Sequence, residues 1–161
     1  MADDDMISAA LKEQMYGLAV IGSKSDGGEP NGMTANWVTQ VSFSPRIVAV
    51  AIQEGAHTRA NIDATGVFSV SLLPEGAGEL SLKFTKKSTS GEGRREDEPV
   101  SYFETGAPVL DSAVAWYECR VVGKAEPGDH VVYFGEVIGG GKNAGDGVAT
   151  TLSATGMAYA G

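Results

Sequence analysis

The chain has 161 residues, of which 42% are hydrophobic and 20% are charged, a composition typical of a folded globular protein. We therefore expect a single domain over residues 1–161. The formal net charge of −9 repels phosphate backbones, so we expect no nucleic-acid partner.

Membrane and metal functions are also disfavoured. The chain has no run of eighteen apolar residues, and its first residues lack the basic-then-apolar order of a signal peptide. We expect no membrane contact and a cytoplasmic location. Cys119 is the only cysteine, which excludes an internal disulfide and a cysteine-rich metal site. The sequence has neither an HExxH motif nor a cluster of His and Asp at metal spacing, so we predict no metal site.

Periodicity and turn residues predict mostly strands with a few short helices. Helices are predicted over residues 6–14, 58–64 and 75–84. Strands are predicted over residues 16–24, 31–45, 46–53, 67–73, 113–124, 131–139 and 150–159. The segments 85–99 and 139–147 are predicted to be flexible loops. Cys119 falls on the apolar side of its strand and is expected to be a small core residue.

The strand over residues 31–45 has two unlike faces. Thr34, Asn36, Gln40 and Ser42 form a polar row opposite an apolar row led by Trp37, Val41 and Phe43. An exposed strand accounts for a polar row. This row, however, contains only hydroxyls and amides and no charge, which suits a partly buried polar ligand held by hydrogen bonds.

Two stretches are candidate anion sites. His57, Thr58 and Arg59 begin a predicted helix, where backbone N–H groups and the helix dipole favour a phosphate. A simple N-cap beside a surface arginine is the alternative. The loop 85–99 carries basic residues that would attract an anionic nucleotide. The alternative is that they only form a solvated surface. They are Lys86, Lys87, Arg94 and Arg95.

His130 follows Gly128 and Asp129 in a predicted hairpin turn. A neutral imidazole at a hairpin edge can hydrogen-bond a polar ligand. The alternative is that Asp129 and His130 only serve the turn and the histidine packs against the strand that follows.

Several segments, taken in order, resemble one known family. They are GMTANWVTQVSFSP, VAVAI, HTRANI, GVFSVSLL, AWYECRV and GDHVVYFGEV, and the similarity around them runs from about residue 16 to residue 137. On these segments the chain resembles the flavin reductase-like family of FMN-binding split barrels, including the flavin reductase-like domains of flavodiiron proteins. The resemblance implies a mainly β fold with a few short helices, a Greek-key split β-barrel, and a homodimer with the flavin near the interface.

The resemblance also implies a set of site residues. His130 would help to position the nicotinamide or the flavin. Lys83 and Phe84 lie where the family has a short motif near the flavin. The residues implied to bind the cofactor are Thr34, Ala35, Asn36, Trp37, Val38, Thr39, Gln40, Ala51, His57, Thr58, Lys83 and Tyr159.

The function implied by the resemblance is an NAD(P)H-dependent flavin or ferric reductase that uses FMN, with FAD also possible. Hydride would pass from the nicotinamide to flavin N5 and on to free flavin, ferric iron or a partner such as an oxygenase. One alternative is a non-catalytic FMN protein that transfers electrons between redox partners. Another is a split barrel that only binds its ligand. Ser44-Pro45-Arg46 replaces the family's frequent pair of prolines, and Gln40 replaces a frequent serine, which leaves the choice of flavin open.

Overall fold

The computed structural model describes residues 3–85, 98–143, 145 and 147–159. Within them the fold is mainly β with a few short helices, as predicted. The helices are α1 (Asp4–Lys12), α2 (His57–Thr65) and α3 (Gly78–Lys83), and a 3-10 turn covers Ser153–Thr155. The strands are β1 (Ala19–Lys24), β2 (Pro30–Ala35), β3 (Val38–Phe43), β4 (Arg46–Gln53), β5 (Val67–Leu72), β6 (Val100–Tyr102), β7 (Pro108–Leu110), β8 (Ala115–Ala125) and β9 (His130–Lys142).

Seven of these strands form one antiparallel sheet in the order β2-β1-β5-β8-β9-β4-β3, and β6 pairs with β7 in a separate ribbon. β2 and β3 lie at opposite edges of this sheet, although only Asn36 and Trp37 separate them in the chain. A link of this length spans at most about 10 Å. The sheet must therefore curl until its two edges approach each other at Asn36 and Trp37.

The curled sheet is buried on both sides along β1. Ala19 and Ile21 belong to an inner cluster, whereas Leu18 and Val20 belong to a second cluster with residues of α3, β7 and the 3-10 turn region. Side chains alternate between the two faces of a strand, so β1 contributes to both clusters. The inner cluster contains Ala19, Ile21, Ala35, Val50, Ile52, Ile62, Phe68, Val70, Cys119, Val131 and Tyr133.

The predicted strand over residues 31–45 is in fact two strands, β2 and β3. The alternation of side chains continues through the link, so the sequence pattern does not show that the chain passes from one edge of the sheet to the other. A register shift in β3 between Gln40 and Ser42 also interrupts the pattern. As a result, Phe43 is 88% exposed rather than packed in an apolar row.

Two predictions near the C-terminal end are wrong. The glycines of 139–141 lie within β9 and not in a loop, because they pair with Glu118, Tyr117 and Trp116 of β8. A side chain at Gly141 would meet the Trp116 ring at 3.1 Å, so this pairing favours glycine there. The predicted strand over 150–159 is replaced by isolated bridges and the 3-10 turn.

Other predictions hold in part or lie outside the described residues. The predicted helix over 75–84 forms only as α3. Lys86, Lys87, Arg94 and Arg95 of the predicted basic loop lie outside the described residues. No helix in the described part of the chain is long and apolar enough to cross a membrane.

Cys119 is fully buried in the inner cluster, as predicted. Burial, together with the neighbouring charge of Glu118, raises the pKa of the Cys119 thiol to about 12. The thiol is therefore protonated at neutral pH and acts as a small core side chain.

Candidate functional site

A groove of about 820 Å³ opens where the link between β2 and β3, the start of α2 and the C-terminal segment meet. It brings together many residues that are far apart in the chain. The predicted site residues that line it are Thr34, Ala35, Asn36, Trp37, Ala51, His57, Thr58, His130 and Tyr159. This volume is within the range of small-molecule and cofactor sites.

The link between the two sheet edges lines the groove and contains two hydrogen-bond donors without partners among the described residues. Asn36 Nδ2 and Trp37 Nε1 are buried, and neither has a hydrogen-bond partner among the described residues. Such a donor costs folding free energy unless something pairs with it, so these atoms indicate a bound acceptor. Thr34 differs, because its hydroxyl donates to the carbonyl of Ser81 at 2.6 Å.

The first turn of α2 is a second source of donors. The N-cap residue is Ala56, which has no side chain able to cap the helix, and the first turn contains no acidic residue. The amides at the start of a helix lack partners within the helix, so those of His57 and Thr58 are available to a ligand. Together with the helix dipole they favour an anion such as a phosphate.

A buried polar network fixes this turn against the β1–β2 hairpin. Asn31 Nδ2 lies 2.8 Å from Thr58 Oγ1 and 3.4 Å from Ser23 Oγ, and Asn61 Nδ2 donates to the same serine at 3.1 Å. All four residues are more than nine-tenths buried. The network therefore sets the position of the helix start relative to the groove.

Arg59 does not supply a free positive charge to the groove. Its guanidinium pairs with Glu54 at 3.4 Å, Asp63 at 3.5 Å and Glu126 at 3.2 Å. The sequence suggested this arginine as a charge for a phosphate, but nearby carboxylates from three parts of the chain already neutralise it. Only the tertiary structure brings those carboxylates together.

Asp63 connects α2 to strands β8 and β9. It accepts hydrogen bonds from the Tyr133 hydroxyl at 2.9 Å and from Lys124 Nζ at 3.2 Å. Burial acts to raise the pKa of Asp63, but these two hydrogen bonds and the charges of Lys124 and Arg59 outweigh it and lower the pKa. The carboxylate is therefore ionised at neutral pH and holds α2 to β8 and β9.

An aromatic cluster forms one wall of the groove. The His130 ring lies 4.7 Å from the Trp37 ring, and the Tyr159 ring lies 5.1 Å from Trp37. His130 is held at both ring nitrogens, with Nδ1 2.8 Å from Asp129 Oδ1 and Nε2 3.2 Å from the Tyr159 hydroxyl. The hydrogen bond with His130 lowers the pKa of Asp129. The imidazole thus has a fixed orientation at the groove wall.

The structure places the other predicted site residues outside the groove lining. Val38 packs against the inner cluster, and Thr39 is exposed. Gln40 donates its amide to the carbonyl of Ser42 at 3.0 Å, so that amide is already engaged. Lys83 forms an ion pair with Glu98.

Some groove residues were not identified from the sequence. The local sequence around Asn31 is typical of a turn, and that around Asp63 is typical of an exposed helix. Gln53, Glu54 and Met157 also line the groove. Their side chains reach it only through long-range pairing, and nothing in their local sequence pattern indicates this.

Residues 12–159 match the family model described as "Flavin reductase like domain". The match covers most of the chain and includes every predicted site residue that lines the groove. The chain belongs to this family. The resemblance noted from the sequence is thereby confirmed.

Two relatives of this chain have different activities. The chain is 34% identical to the actinorhodin polyketide dimerase of Streptomyces coelicolor over 84% of this chain and 75% of that protein. It is 36% identical to an NADH-dependent FAD reductase of Streptomyces globisporus over 70% of this chain and 63% of that protein. Family membership therefore does not by itself fix the final electron acceptor.

A solved structure of a relative has the same fold. The NADH:FAD oxidoreductase SgcE6 of Streptomyces globisporus, in complex with NAD and FAD fragments, superposes with a TM-score of 0.83. It is 28% identical, and the match covers 96% of this chain and 93% of that chain.

The residues of the groove fit a flavin that carries a phosphate. The volume of the groove is large enough for a cofactor. The unpaired donors of Asn36 and Trp37 suit the polar edge of a ring system, and the uncapped first turn of α2 suits a phosphate. Ala51 is small and leaves room beside the Trp37 wall. No group of three or more metal-ligating side chains occurs among the described residues.

Proposed function

We propose that this chain is an NAD(P)H-dependent flavin reductase that holds FMN in the groove. The observation that carries the proposal is the meeting of three features in one cavity. These are the unpaired donors of Asn36 and Trp37, the uncapped start of α2, and the fixed His130 ring. Family membership supports the same activity.

The proposed roles follow from the chemistry of each group. The α2 amides of His57 and Thr58 and the Thr58 hydroxyl hold the phosphate. Asn36 and Trp37 donate to the polar edge of the isoalloxazine ring, and the adjacent Thr34 and Ala35 backbone and the Ala51 side chain border it. Val38, Thr39, Gln40 and Lys83 receive no direct role in this proposal.

Flavin, when bound, supplies the chemistry by accepting a hydride from reduced nicotinamide and passing electrons on. The chain has to hold and orient the two ring systems and leave one flavin face open. His130 is proposed to position the nicotinamide by the packing of its ring, which Asp129 fixes at Nδ1 and Tyr159 fixes at Nε2. Water would be excluded by the Trp37 and Tyr159 rings.

The proposal includes a homodimer. Ala49 pairs with Phe134 and Ala51 with Val132, so these side chains share the sheet face opposite the inner cluster. Phe43 is exposed on the adjoining edge strand β3. Ala51 also lines the groove, so a second copy packed on this face would complete the flavin site.

The physiological acceptor is proposed to be free flavin, ferric iron or a redox partner that consumes reduced flavin, such as an oxygenase. Each of these requires an accessible flavin, and the groove is open to solvent along the exposed His57 and Gln53 side chains.

The test is the visible spectrum of the purified protein under anaerobic conditions, recorded with FMN or FAD and then with NADH and NADPH. A flavin spectrum bleached by a nucleotide supports the reductase and identifies its donor. A bound flavin that neither nucleotide bleaches would favour an electron-transfer protein. A protein that takes up neither flavin contradicts the proposal.

A further inference from the structure

We propose that Asn31 is a positioning residue that orients the Thr58 hydroxyl as a hydrogen-bond donor to a phosphate in the groove. This inference rests on the proposed function, and it adds a residue that lies outside the helix start and was not among the predicted site residues. Asn31 and Thr58 lie 27 positions apart in the chain and meet only through the packing of α2 on β2.

The argument starts from the direction of one hydrogen bond. Asn31 Nδ2 faces the hydroxyl oxygens of both Ser23 and Thr58, and an amide nitrogen can only donate. Thr58 Oγ1 therefore accepts at 2.8 Å. Its own proton remains, because a hydroxyl carries one donor and can accept in addition.

That proton has no protein acceptor among the described residues, since the bond from Asn31 is the one hydrogen bond of the Thr58 side chain there. Thr65 of the same helix shows the usual arrangement, donating to the carbonyl of Asn61 at 2.8 Å. Thr58 lies in the first turn of α2, where no earlier helical residue presents a carbonyl to it.

Thr58 is only 1% exposed, yet it lines the groove. A buried hydroxyl proton without a partner costs free energy, so the arrangement favours an acceptor supplied by a ligand. The neighbouring α2 amides are also donors, which selects an anionic, oxygen-rich acceptor such as a phosphate. Asn31 thus makes the Thr58 hydroxyl a hydrogen-bond donor toward the phosphate, without itself binding the phosphate.

The experiment compares affinities for FMN and riboflavin, which differ only in the phosphate, by titration of the full chain. In Asn31→Asp the carboxylate can only accept, so the Thr58 hydroxyl must donate to it and is lost to the ligand. We expect FMN binding roughly 10- to 100-fold weaker, the value of one hydrogen bond to a charged group, with riboflavin binding retained.

A second variant separates orientation from packing. Asn31→Ala removes the donor but leaves nothing that accepts from Thr58, so its hydroxyl still serves the ligand. We expect Asn31→Ala to retain more of the preference for FMN over riboflavin than Asn31→Asp does. A purely structural role predicts the reverse order, because Asp has the same shape as Asn whereas Ala leaves a cavity.

A third comparison removes the hydroxyl itself. Thr58→Val should reduce the preference for FMN by a similar factor, roughly 10- to 100-fold, and Thr58→Ser should keep it. Adding Asn31→Asp to Thr58→Val should then cause no further loss, because Asn31 acts through the hydroxyl. Asn61→Asp is the matched control for charge, since it adds a carboxylate to the same network without touching Thr58.

The inference is overturned if Asn31→Asp and Asn61→Asp weaken FMN binding equally, or if Asn31→Asp still weakens it in the Thr58→Val background. It is also overturned if Thr58→Val binds FMN as the unaltered chain does. If the unaltered chain binds neither FMN nor riboflavin, the proposed function fails first and this inference fails with it, which is a different result from the loss of selectivity alone.

Discussion

Replacing Trp37 by Phe should move two measurable quantities in a way that ordinary packing loss does not. The buried Trp37 Nε1 lacks a partner among the described residues, which costs the flavin-free protein about 1–3 kcal/mol. Trp37→Phe removes this cost but also loses ring contacts with Tyr16, His130 and Tyr159, worth roughly 1–2 kcal/mol. The two terms oppose each other, so we expect the free energy of unfolding without flavin to change by less than about 1 kcal/mol.

The flavin-bound protein should respond differently. If Nε1 donates to the flavin, its loss should weaken FMN binding about tenfold and lower the FMN-dependent gain in the free energy of unfolding by about 1.4 kcal/mol at saturating FMN. Trp116→Phe is the matched control. Trp116 is also half-buried, stacks on Phe103 at 4.1 Å and lies outside the groove lining.

Urea unfolding followed by far-ultraviolet circular dichroism, with and without FMN, measures both quantities. Trp116→Phe should lose about 1–2 kcal/mol in either condition and keep the full FMN-dependent gain. The reasoning about Trp37 would be refuted by a variant that is destabilised like Trp116→Phe without flavin and still binds FMN as tightly as the unaltered chain.

Three further outcomes are expected. Gly135→Ala should lose about 1–3 kcal/mol in urea unfolding, because a Cβ there would lie 2.5 Å from the Phe68 ring; an unchanged midpoint would contradict this. Asp63→Asn should lose about 1 kcal/mol at pH 7. Because folding lowers the pKa of Asp63, its carboxylate stabilises the folded state at pH values above 3.8, the ordinary pKa, and this stabilisation is lost as the pH falls through the pKa of the folded state. If the variant and the unaltered chain differ in stability at pH 3 as much as at pH 7, this assignment is contradicted. Phe43→Glu should yield monomers in light scattering, whereas Leu82→Glu on α3 should not; dimers of both would refute the proposed interface.

The parts of the fold that could be predicted are those where one local pattern decides the structure. Residues 46–53 form a continuous apolar run apart from their ends, and they are the strand β4 with the same bounds. Gly66 ends α2 in a left-handed conformation with φ of 68°, two residues after the predicted end of the helix at residue 64. Such features need no knowledge of distant residues.

The change of sheet edge at Asn36 and Trp37 could not be predicted in this way. Side chains alternate on both sides of the link, and only the pairing of β2 with β1 and of β3 with β4 reveals the break. The same limit applied to Arg59, because its partner Glu126 comes from a distant segment of the chain. The sequence motifs predicted many of the residues that line the groove. They did not predict which groups each side chain contacts, because those contacts depend on the tertiary structure.

The two-residue link between β2 and β3 also bears on how the groove forms during folding. These strands are neighbours in sequence but occupy the two ends of the sheet order, so the native position of the link requires every strand between them to be paired. A ligand bound at Asn36 and Trp37 would hold the two edge strands, β2 and β3, in place together. Amide hydrogen exchange should therefore slow in β2 and β3 together when FMN is added, although the strands share no hydrogen-bond ladder.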